Sequence, residues 1–139
     1  MSATATTDMR DEILTLFVAG HETTATALAW ALYELAGNPE LYAQAEAEAD
    51  ALGGEPTLDD LPRLGLLLRI FKEALRKYPP VYLLGRDVIA DVEVGGVHLP
   101  PEANVTLSPF SLHHRRDLWP DPERFDPDRF VPEREALRS

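Results

Sequence analysis

There is no cysteine among the 139 residues of this chain. That excludes disulfides, thiolate nucleophiles and every metal site built on sulfur. Histidine is scarce as well: His21, His98, His113 and His114 are the whole set. None of them is spaced as a metal ligand to another, and the last two are adjacent. Positive charge is the minority sign, with 13 Lys and Arg against 24 Asp and Glu and a net charge of −11. Such a surface carries no electrostatic footprint for nucleic acid or an anionic membrane, so nucleic acid is excluded as a partner. Long apolar runs are missing too. The uncharged stretches Ile13–His21 and Thr23–Tyr33 are each too short to span a bilayer, and Glu22 separates them. Met1–Thr7 is small and polar, unlike a signal peptide. The expected location is cytoplasmic; a membrane anchor in a longer parent protein stays open.

The chain is 45% hydrophobic, enough for one domain with a modest core. From Asp8 to Ala36 there is no Pro, and the only Gly is Gly20. Apolar residues occupy all sides of this stretch, the pattern of a long buried helix over 8–36, capped by Asp8 and closed by Gly37-Asn38-Pro39. In its middle stands Gly20-His21-Glu22-Thr23-Thr24. A Gly costs about 1 kcal/mol relative to Ala in a helix, and a Thr hydroxyl can bond a carbonyl one turn back. The expectation is a kink or bulge there, a common device at functional sites.

A second, solvated helix follows over 39–52. Thr57-Leu58-Asp59-Asp60 has the form of a capping box. A third helix over 64–78 is stopped by Pro79-Pro80 and carries the stripe Leu64, Leu67, Phe71, Ala74, Leu75, Tyr78. By helical period alone, Glu73 and Arg76 fall on its other side, as an exposed ion pair worth about 0.2–0.5 kcal/mol. Between 85 and 107 the texture becomes that of a small antiparallel β region. Val88–Val94 and Val97–Leu99 flank Gly95-Gly96, a two-residue hairpin signal, and Asn104–Leu107 is a further strand. Pro109–His113 reads as a helical turn, and 117–132 as a Pro-rich, irregular but packed stretch. The fold class is mainly α with a small β region.

Three short motifs occur in a set order: Ala19-Gly20-His21-Glu22-Thr23-Thr24, then Glu73-Ala74-Leu75-Arg76 leading to Tyr78-Pro79-Pro80, then Pro122-Glu123-Arg124-Phe125-Asp126-Pro127-Asp128-Arg129-Phe130. Each alone is weak; in this order they resemble the C-terminal half of a cytochrome P-450, a haem-thiolate monooxygenase, over about residues 8–132. The resemblance implies a partial cytochrome P-450 fold, haem b as cofactor, and insertion of one oxygen atom from dioxygen into a small apolar substrate. Electrons would come from a redox partner, a reductase or ferredoxin. Ala19 and Gly20 would lie over the oxygen-binding face of the haem. Glu22 and Thr23 would be the catalytic acid–alcohol pair that delivers protons to iron-bound oxygen. Glu73, Arg76 and Arg129 would form a buried structural triad, with Arg124 the competitor for the third place. Arg86 would bind a haem propionate. Val81, Tyr82, Leu83 and Leu84 would line the substrate pocket. His113 matches a recurrent position without a derived role.

Two departures from that pattern carry weight. The family's iron ligand is a Cys in a Gly-rich loop following the Pro-rich element, and no Cys occurs here, so no metal ligand is assigned. Glu102 stands where the family usually has a Gly after the hairpin. The resulting expectation is a cytochrome P-450 fragment that is inactive on its own. The alternatives are a non-catalytic acidic helical module that binds a partner, or a truncated remnant.

Overall fold

The computed structural model describes the backbone of residues 3–138 and the side chains of residues 8–137. The chain divides into two compact units, one holding the chain up to Pro80 together with the stretch from Phe125 onward, the other Val81–Arg124.

The first unit is helical. α1 runs Ala3–Gly37, α2 Pro39–Asp50 and α3 Gly65–Lys77, with a 3-10 turn at Leu58–Arg63 before α3. A second 3-10 turn, Pro127–Phe130, follows Phe125 and leads to the short α5, Pro132–Glu135 (the intervening α4 belongs to the other unit). Ala31, Leu35, Ala45, Ile70 and Ala74 are the buried core, with Leu41, Leu66, Leu67 and Phe125 packed against it. Small residues on α1 and α2 let the helices approach closely around Ile70. Asn38 caps α2 through a 3.2 Å bond from the Leu41 amide, with Pro39 at the first helical position. The capping box is formed: Thr57 donates from its amide (3.1 Å) and its hydroxyl (2.8 Å) to Asp60 Oδ2, and the Asp60 amide returns a bond to Thr57. Those bonds hold the Asp60 carboxyl below its ordinary pKa, the Thr57 hydroxyl contributing most.

Three expectations are corrected here. α1 begins at Ala3, not at Asp8, so Asp8 lies inside the helix and does not cap it. The chain before Asp8 has neither Pro nor Gly, and nothing in it stops the helix. Nor is α1 buried on every side: residues 8–22 are exposed throughout, and burial begins only at Ala27, Ala31 and Leu35. Among the described side chains, α1 is buried only along its C-terminal turns. The bulge expected at Gly20 is absent as well, since the α-helix continues through it without a π turn. A Cβ on Gly20 would meet nothing within 4 Å, so the residue answers no steric demand of this chain.

The second unit holds two antiparallel pairs. β1 (Leu84–Asp87) pairs with β4 (Asn104–Leu107), and β2 (Val92–Val94) with β3 (Val97–Leu99). Gly95 and Gly96 take φ of 58° and 79°, as a two-residue turn with the twist of its strands requires. The strand expected from Val88 begins only at Val92. Val88 instead extends the β1–β4 ladder, donating to Ala103 O (2.9 Å) and accepting from the Glu102 amide (2.8 Å). α4, Pro109–His113, is capped by Ser108, whose Oγ accepts from the Ser111 amide at 3.1 Å.

Glu102 explains its own departure from the usual glycine. Its φ is 67°, and the Ala103 amide closes on Pro100 O at 3.2 Å. This is the third position of a turn with Pro101 before it, where a left-handed residue is required and Gly is the unstrained choice. Replacing Glu102 by Gly is expected to relieve more strain than the added freedom of the unfolded chain costs, a net gain of about 0.5–1 kcal/mol. Amide exchange at Ala103 should slow by about two- to fivefold. Exchange that speeds up would contradict the strain argument.

Candidate functional site

Glu73 anchors the most constrained cluster in the chain. Its exposure is 0%, that of Arg76 2% and that of Arg129 7%. Arg76 grips the carboxylate bidentately, with Nε to Oε2 at 2.7 Å and Nη2 to Oε1 at 2.8 Å. Arg129 Nε stands 3.3 Å from Oε1, a longer ion-pair contact, and the Asp126 amide donates to the same oxygen at 3.0 Å. The exposed-pair reading of Glu73 and Arg76 is therefore overturned. A one-face periodicity argument misses that α3 is covered on its second side by the Pro127–Phe130 turn. Of the two competing arginines, Arg129 is the one beside Glu73. A buried carboxylate between two guanidinium groups, with a backbone donor on one oxygen, is a charge-compensated cluster in which Arg129 Nε makes an ion-pair contact and no hydrogen bond, and its chemistry is structural: it pins the segment around Asp126-Pro127 to α3.

On α1, Thr23 Oγ1 donates to Ala19 O at 2.6 Å. Thr15 makes the same bond to Asp11 O at 2.8 Å, so this is ordinary helical back-bonding rather than a special geometry. Glu22 is exposed and makes no hydrogen bond among the described residues. Ala19 and Gly20 form an open, small-residue surface beside it.

Arg86 and Val81–Leu84 belong to the second unit. Arg86 sits on β1 opposite Val105, exposed, with Nη1 turned back onto Gly85 O at 2.7 Å. Val81, Tyr82 and Leu83 expose 45%, 62% and 50% of their surface, and Leu84 is half-buried. His113 is half-buried, its ring edge-on to Trp119 at 6.0 Å.

Two polar features escaped the sequence reading. Glu48, on the helix read as merely solvated, accepts from the Leu66 and Leu67 amides at 2.8 Å each and so caps α3 from another helix. The signal was the start of α3: Leu64 has no side chain able to cap it, so an acceptor had to come from elsewhere. The second feature is Glu34. Its Oε1 accepts from Lys77 Nζ at 2.8 Å and from the Tyr78 hydroxyl at 2.6 Å, while Trp30 stacks on Tyr78 at 4.1 Å. Burial acts to lower the Lys77 pKa, but the bonds to Glu34 and Tyr78 outweigh it and raise the net value. Tyr78 is raised by burial first and then by the bond to Glu34. This knot ties α1 to the end of α3. At 43 and 44 residues of separation it carries no local signal.

The residues can be tested against the cofactor the motifs imply. The α1 surface offers open space and an acid–alcohol pair. The donor set, however, contains no thiolate, and no group of three or more His, Cys, Asp or Glu among the described residues could hold a metal ion. These residues fit one side of a haem-thiolate centre and not the other. They do not complete it.

Comparison with known proteins identifies the class. The family model for cytochrome P-450 matches residues 2–139. The chain is 46% identical over 129 residues to cyclooctatin synthase of Streptomyces melanosporofaciens, across 91% of this chain and 28% of that protein. It is 40% identical over 130 residues to pentalenene oxygenase of Streptomyces avermitilis, across 92% and 29%. A crystal structure of a cytochrome P-450 superposes with a TM-score of 0.82 at 33% identity, across 90% of this chain and 30% of that one. The chain belongs to the cytochrome P-450 family, and its fold is part of that family's fold. It spans less than a third of the length of the relatives named. No helix among the described residues is long and apolar enough to cross a membrane.

Proposed function

We propose that this chain supplies the oxygen-side helix and the core lock of a monooxygenase that inserts one oxygen atom from dioxygen into a small apolar substrate. Electrons come from a reductase or ferredoxin. The 139 residues alone do not catalyse this, because they include no Cys ligand. The observation that supports the reading most is the buried Glu73 carboxylate held between Arg76 and Arg129. It ties down the segment that in the family leads to the iron ligand.

When bound, haem supplies the activation of dioxygen. The chain's own residues handle space and protons. Ala19 and Gly20 leave room on the oxygen side. Thr23 Oγ1 has its proton committed to Ala19 O and presents its lone pairs to a neighbouring donor. To donate instead, it must give up that bond, a net cost of about 0.5–1.5 kcal/mol. Glu22, open to water, can refill the proton. Arg86 offers a cation for a propionate once its guanidinium leaves Gly85 O. Val81, Tyr82, Leu83 and Leu84 present an apolar surface suited to substrate.

The test is complementation. The chain is mixed or co-expressed with a segment carrying the family's Cys loop, loaded with haem, reduced and exposed to carbon monoxide. The expected result is a red-shifted Soret band of thiolate ligation with the segment present and none without it. Such a band from this chain alone would overturn the claim of inactivity. A folded complex that never develops it would overturn the proposed role.

A further inference from the structure

Two adjacent residues of α3 hold the stretch after Phe125. Glu73 takes it at the Asp126 amide and at Arg129. Its neighbour Lys72 takes it further along. Lys72 Nζ donates to Glu135 Oε1 at 2.7 Å and to Oε2 at 2.8 Å, and it lies 6.0 Å from the centre of the Phe130 ring. From Pro132 to Leu137 every residue except Glu135 is exposed, Leu137 by 86%. A cavity of about 370 Å³ is lined from both α3 and α5, with Leu66, Arg69 and Pro132 in its wall, so Lys72 and Glu135 meet at the edge of a gap. Arg69 makes a looser contact, Nη2 to Asp128 Oδ1 at 3.7 Å. Arg134 Nη1 reaches Asp128 O at 3.3 Å, which ties the stretch to itself and not to α3. Apolar burial therefore does little to hold residues 132–137 in place, and the charge pair supplies the hold.

We propose that Lys72 is a positioning residue: by clamping Glu135 it fixes against α3 the path that the chain takes beyond the Glu73 cluster. In the proposed function, on which this rests, that path leads to the iron ligand. The two anchors differ in kind. Glu73 is fully buried, and the packing of α3 depends on it. Lys72 and Glu135 keep 34% and 44% of their side chains in water, so their pair is weaker, screened by salt, and local in its effect. Losing it frees residues 132–137 and leaves the helical core intact.

The test is amide exchange of the full chain in mild non-ionic detergent, compared with Lys72→Met, Lys72→Arg, Glu135→Gln and Glu133→Gln. The Glu135 and Ala136 amides donate to Val131 O and Pro132 O and report on α5. They should exchange about two- to fivefold faster in Lys72→Met and in Glu135→Gln. Lys72→Arg should restore the wild-type rate. Glu133→Gln, the same charge change on an exposed neighbour, should leave it unaltered. Added salt should speed exchange in the wild-type chain and have little effect in Lys72→Met. The Ile70 and Ala74 amides should keep their rates in every variant, which a general loss of stability would not allow. Unchanged exchange at Glu135 and Ala136 in Lys72→Met, or acceleration that spreads to Ile70 and Ala74, would overturn the inference. In the complex with a Cys-bearing segment, Lys72→Met should lower the fraction of haem showing the thiolate band, and Lys72→Arg should restore it. An equal fraction in all three would overturn the positioning role. A wild-type complex without the band counts against the proposed function alone, and the exchange rates then decide the clamp.

Discussion

Replacing Glu73 by Ala is expected to cost about 3–5 kcal/mol, the range for removing one partner of a buried ion pair. Domains of this size have about 5–15 kcal/mol in total, so the variant should lose most of its helical core. The reason lies in what stays behind. Arg76 and Arg129, exposed by 2% and 7%, would face each other without the carboxylate that neutralises both. The Asp126 amide would lose its acceptor at 3.0 Å. Glu73→Gln should be almost as damaging, because it preserves shape and removes the charge. A mild non-ionic detergent keeps the exposed helix from obscuring the measurement. Amide protection in α3 and in the Pro127–Phe130 turn should collapse together, since the cluster is what joins them. A loss below about 1 kcal/mol would mean that the pair behaves as a surface pair. The compensating experiment replaces Glu73, Arg76 and Arg129 together by Leu, Met and Met. Recovery of stability would separate the electrostatic cost from the packing.

How far the sequence was legible depends on the range of each interaction. The Gly95-Gly96 turn, the Thr57–Asp60 box and the stop at Pro79 are set by neighbours in sequence, and each could be read from residue chemistry alone. The β1–β4 pairing could not. Leu84–Asp87 shows no alternation, and its partner lies about twenty residues away, past the hairpin. Burial was the least legible property, because periodicity says which residues share a face and not what covers it. It mistook Glu73 and Arg76 for surface residues, since their second cover is the Pro127–Phe130 turn. It mistook α1 for a core helix, since among the described residues its apolar side chains find cover only toward the C-terminal end, at Ala27, Ala31 and Leu35 and where Trp30 stacks on Tyr78. The motif set placed Glu73, Arg76 and Arg129 in one cluster where periodicity could not. It carried no information on Glu48 or Glu34, which lie outside the motifs.

In plain buffer the purified chain is expected to self-associate and to bind apolar dyes, and mild non-ionic detergent should return it to a monomer. The cause is the exposed half of α1, where Ile13, Leu16 and Phe17 show 59%, 74% and 67% of their surface to water. Each such side chain is worth about 1.5–3 kcal/mol when fully buried, so even partial burial between copies offers a large driving force. Contiguous apolar patches above a few hundred Å² are rare on soluble monomers for this reason. The net charge of −11 opposes association at low ionic strength. Added salt screens that repulsion to within about 10 Å at 0.1 M and should increase the associated fraction. The double substitution Ile13→Glu, Leu16→Glu should lower dye binding and association together, leaving the helical signal in place, since Glu is a good helix former. Sedimentation at two salt concentrations measures the association, and near-ultraviolet dichroism reports whether side chains pack. A monomer in plain buffer with sharp near-ultraviolet signals and a cooperative melt would overturn this expectation. It would instead favour a self-sufficient acidic module whose exposed helix is kept free for a partner.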